Sequence, residues 1–252
     1  MILDERRLGR LPSFDAKNLN FLMTAEPGMQ EEPEIQSKAW RICPRKDQGE
    51  IPKCTGTSMR NMLDSAPYTT KFGPSDMDIY LGAQFLDEWQ GEGYDGSSIL
   101  GACRFTEKLG YIEWYGWGQR ADDGRRWLLL NGPILLGIRW TDGMFYPDEK
   151  THLIRPTGRT VGGHAIQSYR YDHRQGVFWL HQSWGYEWGK NGLACIQGED
   201  LDMLIAEGGE LATIRERRVP FAPVHGRIPA SVQFPQAALA GPGRLDTGRL
   251  AA

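Results

Sequence analysis

The string SWGYEWGKNG, residues 183–192, fits the spacing S-W-G-x-x-W-G-x-x-G at every fixed position, a match that chance does not produce. One reading is a Trp-Gly turn that serves only β packing. It follows the apolar run 177–183, however, and Gln182 just before it is placed to reach an imidazole on a neighbouring strand. Working outward, 165–171 and 177–183 are apolar or alternating runs joined by Asp172-His173-Arg174-Gln175-Gly176, a hairpin-loop composition, and 134–140 is another short apolar run. Upstream the spacing is helical. It predicts helices over 55–65, over 75–89 with Met77, Tyr80, Leu81 and Gln84 on one side, and over 97–109 with Leu100, Ala102, Phe105 and Leu109. A helical half, about 39–125, therefore precedes a β half, about 126–218, and the fold class is α+β. No repeat occurs at periods of 20–50 residues.

The 252 residues allow one large domain or two small ones, since single cores seldom grow past roughly 250 residues. The 40% hydrophobic, 24% charged and 11% aromatic fractions exclude wholesale disorder, collagen and coiled coil. A net charge of -3, from 29 basic and 32 acidic side chains, argues against a dedicated binder of nucleic acid or anionic membrane, which needs a concentrated positive field. No run approaches the roughly 18 apolar residues of a membrane span; the most apolar, 127–140, is broken by Asn131, Gly132 and Pro133. The opening MILDERRLGR is charged where a signal peptide is apolar, so cytoplasmic synthesis and residence are expected. Cys43, Cys54, Cys103 and Cys195 lie too far apart for a close-spaced disulfide or zinc pattern, and reduced thiols fit best. No metal or other cofactor is indicated, because the five histidines form no ligand pattern with cysteines or carboxylates. Residues 1–38, punctuated by Pro12, Pro27 and Pro33, read as an extended lead-in that wraps the body. Residues 219–252 hold five prolines, four glycines, seven alanines and one acidic residue, a tail that cannot build its own core.

Two residues are candidates for chemistry. Cys54 follows Pro52 at the start of the first helical run, where free N–H groups and the helix dipole stabilise a thiolate; a buried structural thiol is the commoner fate of a free cysteine. His164 lies in GGHAI at the entrance to an apolar strand, where the two glycines let the backbone turn and leave the imidazole at a rim. Taken alone, it reads equally as a packing histidine.

Five blocks in order, KDQGEIPKCTGTSM (46–59), DGSSILGACRFTEKLG (95–110), LNGPILLGIRW (130–140), GGHAIQSYRYD (162–172) and WLHQSWGYEWGKNG (179–192), resemble the papain-like cysteine peptidases. The likeness runs over about 36–215 and is nearest to compact, disulfide-free prokaryotic or viral members. The resemblance implies a helical half carrying the cysteine and a β-barrel-like half carrying the histidine, with the cleft between them. It makes Cys54 the nucleophile, with a thiolate pKa of roughly 3–4 as in His-paired sites. His164 is then the acid and base, Gln182 its orienter, and Gln48, six residues before Cys54, the oxyanion-hole amide. Trp184 is implied to shield the contact between Gln182 and His164. The substrate class is a peptide or protein.

The sequence also departs from the family pattern. Gln182 stands where the family has asparagine, one methylene longer, and a shift of about 1 Å in a positioned group can lower a rate on the order of 10²-fold. Reduced activity is one expectation. Thr55 replaces the aromatic that usually follows the nucleophile, and the 38 residues before the body are too few for the family's inhibitory pro-domain, so no zymogen is expected. Two alternatives remain open. One is a papain-fold structural or binding component, for instance of a virion or secretion apparatus, with the 219–252 tail as its partner-binding segment. The other is amidase or transglutaminase-like acyl transfer.

Overall fold

The computed structural model describes residues 8–217 apart from 14, 16, 17, 19, 35, 69, 71 and 90–92. The tail expected at 219–252 lies outside the described residues.

Three helices come first: α1 (Cys54–Asp64), α2 (Asp76–Leu86) and α3 (Ile99–Lys108). Each starts where a side chain or a breaker dictates. Helix α2 opens with a capping box in which Ser75 Oγ accepts from Asp78 N at 3.1 Å and the Asp78 carboxylate accepts from Ser75 N at 2.9 Å. Helix α3 is capped by Ser98, whose hydroxyl accepts from Gly101 N at 2.8 Å. The predicted end of α2 at 89 is too late. Asp87 leaves the helix to accept from Ser98 N at 3.1 Å and from the Tyr94 hydroxyl at 3.1 Å. The predicted face also turns: α2 buries Ile79, Tyr80, Gly82 and Ala83, while Met77, Leu81 and Gln84 are half-buried. A Cβ at Gly82 would overlap the Phe105 ring, so α2 and α3 approach through their small residues.

Seven strands form one antiparallel sheet: β1 (Lys38–Ala39), β2 (Ile112–Gly118), β3 (Ile134–Thr141), β4 (Thr160–Asp172), β5 (Val177–His181), β6 (Leu193–Gln197) and β7 (Glu210–Glu216). Their order is β2-β7-β3-β4-β5-β6, and β1 pairs with β4 at Arg170 and Tyr171, beyond the last residue that β3 pairs. The expected barrel is not closed, because β2 and β6 are the two ends of an open path. Nor are the element types segregated along the chain. Strand β2 arises inside the helical stretch, and α4 (Ala121–Leu130) and α5 (Gly198–Ala206) accompany the sheet.

Helices cover the sheet on both faces, so β3 is buried at every position but Arg139 rather than at alternate ones. Ile134, Leu136, Ile138 and Trp140 join the core under α4 and α5 with Trp184 and Trp188, whereas Leu135 joins the core of α1–α3 with Met59, Ile79 and Ile99. Cys54 belongs to the second core.

Candidate active site

Cys54 is the first residue of α1, where backbone N–H groups lack intrahelical partners. That helix lies across β4. Ser58 Oγ donates to Ala165 O at 2.8 Å, and Gln167 Nε2 donates to Asn61 O at 3.3 Å. These bonds hold Cys54 beside the strand that bears His164, and Ala165, the next residue, donates its N–H to Cys54 Sγ at 3.4 Å.

His164 is fully buried, not at a rim as its glycines suggested. Its ring packs on Trp184 at 4.8 Å between centroids and on Trp140 at 4.9 Å. Nε2 lies 2.6 Å from Gln182 Oε1, which also accepts from Ser183 N at 2.9 Å. A carboxamide oxygen only accepts, so in the neutral ring Nε2 carries the proton and Nδ1 is the basic nitrogen. That Nδ1 is buried with no hydrogen-bond partner among the described residues. Gln182 spans the distance despite its extra methylene. It lies just past β5, and its backbone is fixed by donation from its N–H to Gly192 O at 3.0 Å, closing the Trp-Gly loop on itself.

Gln48 joins that same loop. Its N–H donates to Ser183 O at 2.8 Å, and Ser183 Oγ donates to Gln48 Oε1 at 2.6 Å. Asp47 bridges Trp184, and Gly185 N donates to Lys46 O at 3.0 Å. The segments around residues 48 and 183 are thus one hydrogen-bonded unit. The Gln48 amide donates to Ile51 O at 2.9 Å within its own loop. Trp184 is almost wholly buried over His164 and stacks on Phe145 at 5.5 Å between centroids.

Burial pushes the Cys54 thiol up to about 11, against the N–H groups of Ala165, Gly9 and Thr55 and the charge of Arg10. Burial likewise pushes His164 down to about 4, partly offset by the Gln182 hydrogen bond. Burial thus disfavours the charged form of both groups in the folded site, against the thiolate that the resemblance implied. The covering is the lead-in. Ser97 N donates to Gly9 O at 2.8 Å, Leu11 N to Ser97 O at 3.0 Å and Arg10 N to Gly163 O at 3.0 Å. A Cβ at Gly163 would overlap Arg10 O, so the glycine before His164 leaves room for a chain to pass. Sequence reasoning did not single out Arg10, Gly163 or Glu210; Ser97 lies in the 95–110 block matched to the family, and the paired glycines at 162 and 163 were read as a turn.

The structure is similar to solved cysteine proteases. Xylellain, a cysteine protease from Xylella fastidiosa, aligns with a TM-score of 0.66 at 16% identity over 86% of this chain and 100% of its own. The bromelain protease of Ananas comosus aligns at 0.57 and 15% identity over 72% and 99%. Digestive procathepsin L 3 of Tenebrio molitor aligns at 0.54 and 14% identity over 84% and 76%. Among curated proteins, cathepsin F of Drosophila melanogaster is 27% identical over 103 residues, 36% of this chain, and the chain spans 17% of that protein's length. No family model matches the chain. The fold is that of the papain-like cysteine proteases.

Proposed function

We propose that the protein is a cysteine peptidase that hydrolyses peptide bonds through an acyl-enzyme on Cys54. The observation that carries this reading is a thiol at a helix N-terminus, bonded to the residue next to His164, together with the His164 ring, whose Nε2 is held by Gln182 and whose Nδ1 has no hydrogen-bond partner among the described residues.

In this mechanism a substrate displaces the lead-in from Cys54. The thiol proton passes to His164 Nδ1 as Sγ attacks the carbonyl carbon, and Gln182 and Trp184 hold the resulting imidazolium in place. The backbone N–H of Cys54 and the Gln48 amide, turned from Ile51 O, receive the oxyanion. The C–N bond then breaks, His164 returns its proton to the leaving amine, and water, deprotonated by the same nitrogen, releases the acid and regenerates the thiol. Gln182 serves the role of the family's asparagine, supported by its 2.6 Å contact with the ring.

The test is cleavage of casein by the wild type and by Cys54→Ala, with thermal unfolding as the control for folding. Loss of cleavage with a melting midpoint within about 2 °C is expected, since removing a sulfur from a buried helix start is a small volume change. Equal cleavage by the variant would refute the reading.

A further inference from the structure

At the C-terminal end of α1 a second cysteine sits in a polar cluster that the mechanism above does not use. Cys43 Sγ accepts from Lys46 Nζ at 3.3 Å and donates to Asn61 Oδ1 at 3.3 Å. The same ammonium donates to Asn61 Oδ1 at 3.0 Å and to Asp64 Oδ2 at 2.8 Å. No other cysteine among the described residues has a lysine nitrogen as a hydrogen-bond partner; Cys54 accepts from Ala165 N, and Cys195 donates to Thr151 O. The pair is held from several sides. Pro44 fixes a backbone dihedral between the two residues, Arg45 Nε donates to Asn191 O at 2.9 Å, and Lys46 O accepts from Gly185 N at 3.0 Å. It is also open to a water-sized reagent, since Cys43 is 6% exposed and the Lys46 side chain 28%.

Asn61 points to what this cluster lacks. It is fully buried, its Oδ1 takes both donors, and its Nδ2 has no hydrogen-bond partner among the described residues. One oxygen atom between the sulfur and the nitrogen would remove both donors and offer the turned amide an acceptor instead. The 3.3 Å separation suits a single bridging atom, because a direct S–N bond would need the two atoms to close much further.

We propose that Cys43 and Lys46 form a modification site at which peroxide builds an S–O–N bridge between Sγ and Nζ. The Cys43 thiolate attacks a first hydrogen peroxide, whose O–O bond breaks; an S–O bond forms, water leaves, and a sulfenic acid results. The sulfenic oxygen then bonds to the neutral Lys46 amine. The hydrogens lost from that oxygen and from the nitrogen, with two electrons, reduce a second peroxide to two waters. In sum one thiol, one amine and two peroxides give the bridge and three waters. Asp64 loses the Lys46 charge but stays paired, because Arg60 Nε donates to its Oδ2 at 3.0 Å. This chemistry is independent of the reaction proposed at Cys54.

The test treats the full chain with hydrogen peroxide, folded and unfolded in urea, followed by alkylation of the remaining thiols and digestion with trypsin. Burial raises the Cys43 thiol against the charge of Lys46, so the reaction is run at about pH 9, where thiolate is present. Trypsin cuts after Arg41, Arg45 and Lys53 but not after a bridged Lys46, so the bridge joins residues 42–45 to residues 46–53. The expected product is that joined pair, heavier than the sum of the two peptides by one oxygen less two hydrogens. It should be about tenfold or more enriched in the folded over the unfolded chain, because the fold holds the reacting atoms together. Dithiothreitol should return both parent peptides, and Lys46→Arg, which keeps the charge, and Cys43→Ser should each abolish the joined pair. Cys43 found only as sulfinic or sulfonic acid on an unlinked peptide overturns the inference. So does a joined pair lacking the added oxygen, which would mean a direct S–N bond, and so do equal yields from folded and unfolded chain.

Discussion

Gln182 reaches His164 because its backbone, tied to Gly192 O, is set for the longer side chain. Shortening it is therefore expected to open the contact: Gln182→Asn should lower kcat by about tenfold or more rather than restore a family optimum, a consequence of moving a positioned group by about 1 Å. An increase in kcat would show that the extra methylene is a handicap. Gln48→Ala should lower kcat by about 10²–10³-fold with KM little changed, since an oxyanion donor acts only in the transition state. A change confined to KM would assign Gln48 to loop architecture, through its bonds to Ser183 and Ile51, instead of to catalysis. At this scale the sequence offered candidates readily, because Cys54, His164, Gln182, Gln48 and Trp184 all stand in local strings with fixed spacing. It did not carry their environments. Burial of His164 under Trp140 and Trp184 depends on β3, β4 and the Trp-Gly loop meeting in space, and no window of sequence around residue 164 contains that information.

Among the elements, α2 depends on its cap. Ser75→Ala removes the acceptor for Asp78 N and should cost about 1 kcal/mol, a fall of about 2–4 °C in Tm for a domain of this size; an unchanged Tm would mean that Asp78 and solvent satisfy the helix start without it. The three helices and three strands with strong periodicity were legible, though α2 ends at Leu86 rather than 89 and β4 begins at Thr160 rather than 165. The elements that were not legible share a physical reason. Helix α4 carries Asp122, Asp123, Arg125 and Arg126 around Gly124, so its buried positions are Ala121 and Gly124 and then the run Trp127, Leu128 and Leu129 at its end. Strand β2 follows α3 directly, and its glycines at 116 and 118 blur the alternation of Trp114 and Tyr115. The pairing of Arg10 with Glu210 joins residues 200 apart, and nothing local to either announces it.

For the molecule as a whole, buried titratable groups set the response to pH. His164 and His181 are held at about 4 and about 3 by burial, below the ~6.5 of an unfolded histidine, so the unfolded chain takes up their protons first as pH falls. Their contribution is present above pH ~6.5 and is lost toward the folded values. Glu210 is raised by burial to about 7, so its contribution is present below about 4.5 and is lost as pH rises toward 7, the opposite sign. Two histidines outweigh one acid, and stability is expected to fall by about 2 kcal/mol between pH 6.5 and 4.5, read from urea unfolding midpoints. A midpoint constant over that range would mean that the histidines are charged or hydrated in the folded chain. The proposed reaction rests on a covalent intermediate, and trapping it is the most direct check. A peptide p-nitrophenyl ester is mixed with the protein, quenched in acid during turnover, and the intact mass and peptide map are recorded. A mass gain equal to the acyl group on Cys54, absent in Cys54→Ala and much reduced in His164→Ala, is the expected result. Ester turnover with no adduct on Cys54, at a rate that Cys54→Ala leaves unchanged, would remove Cys54 from the chemistry.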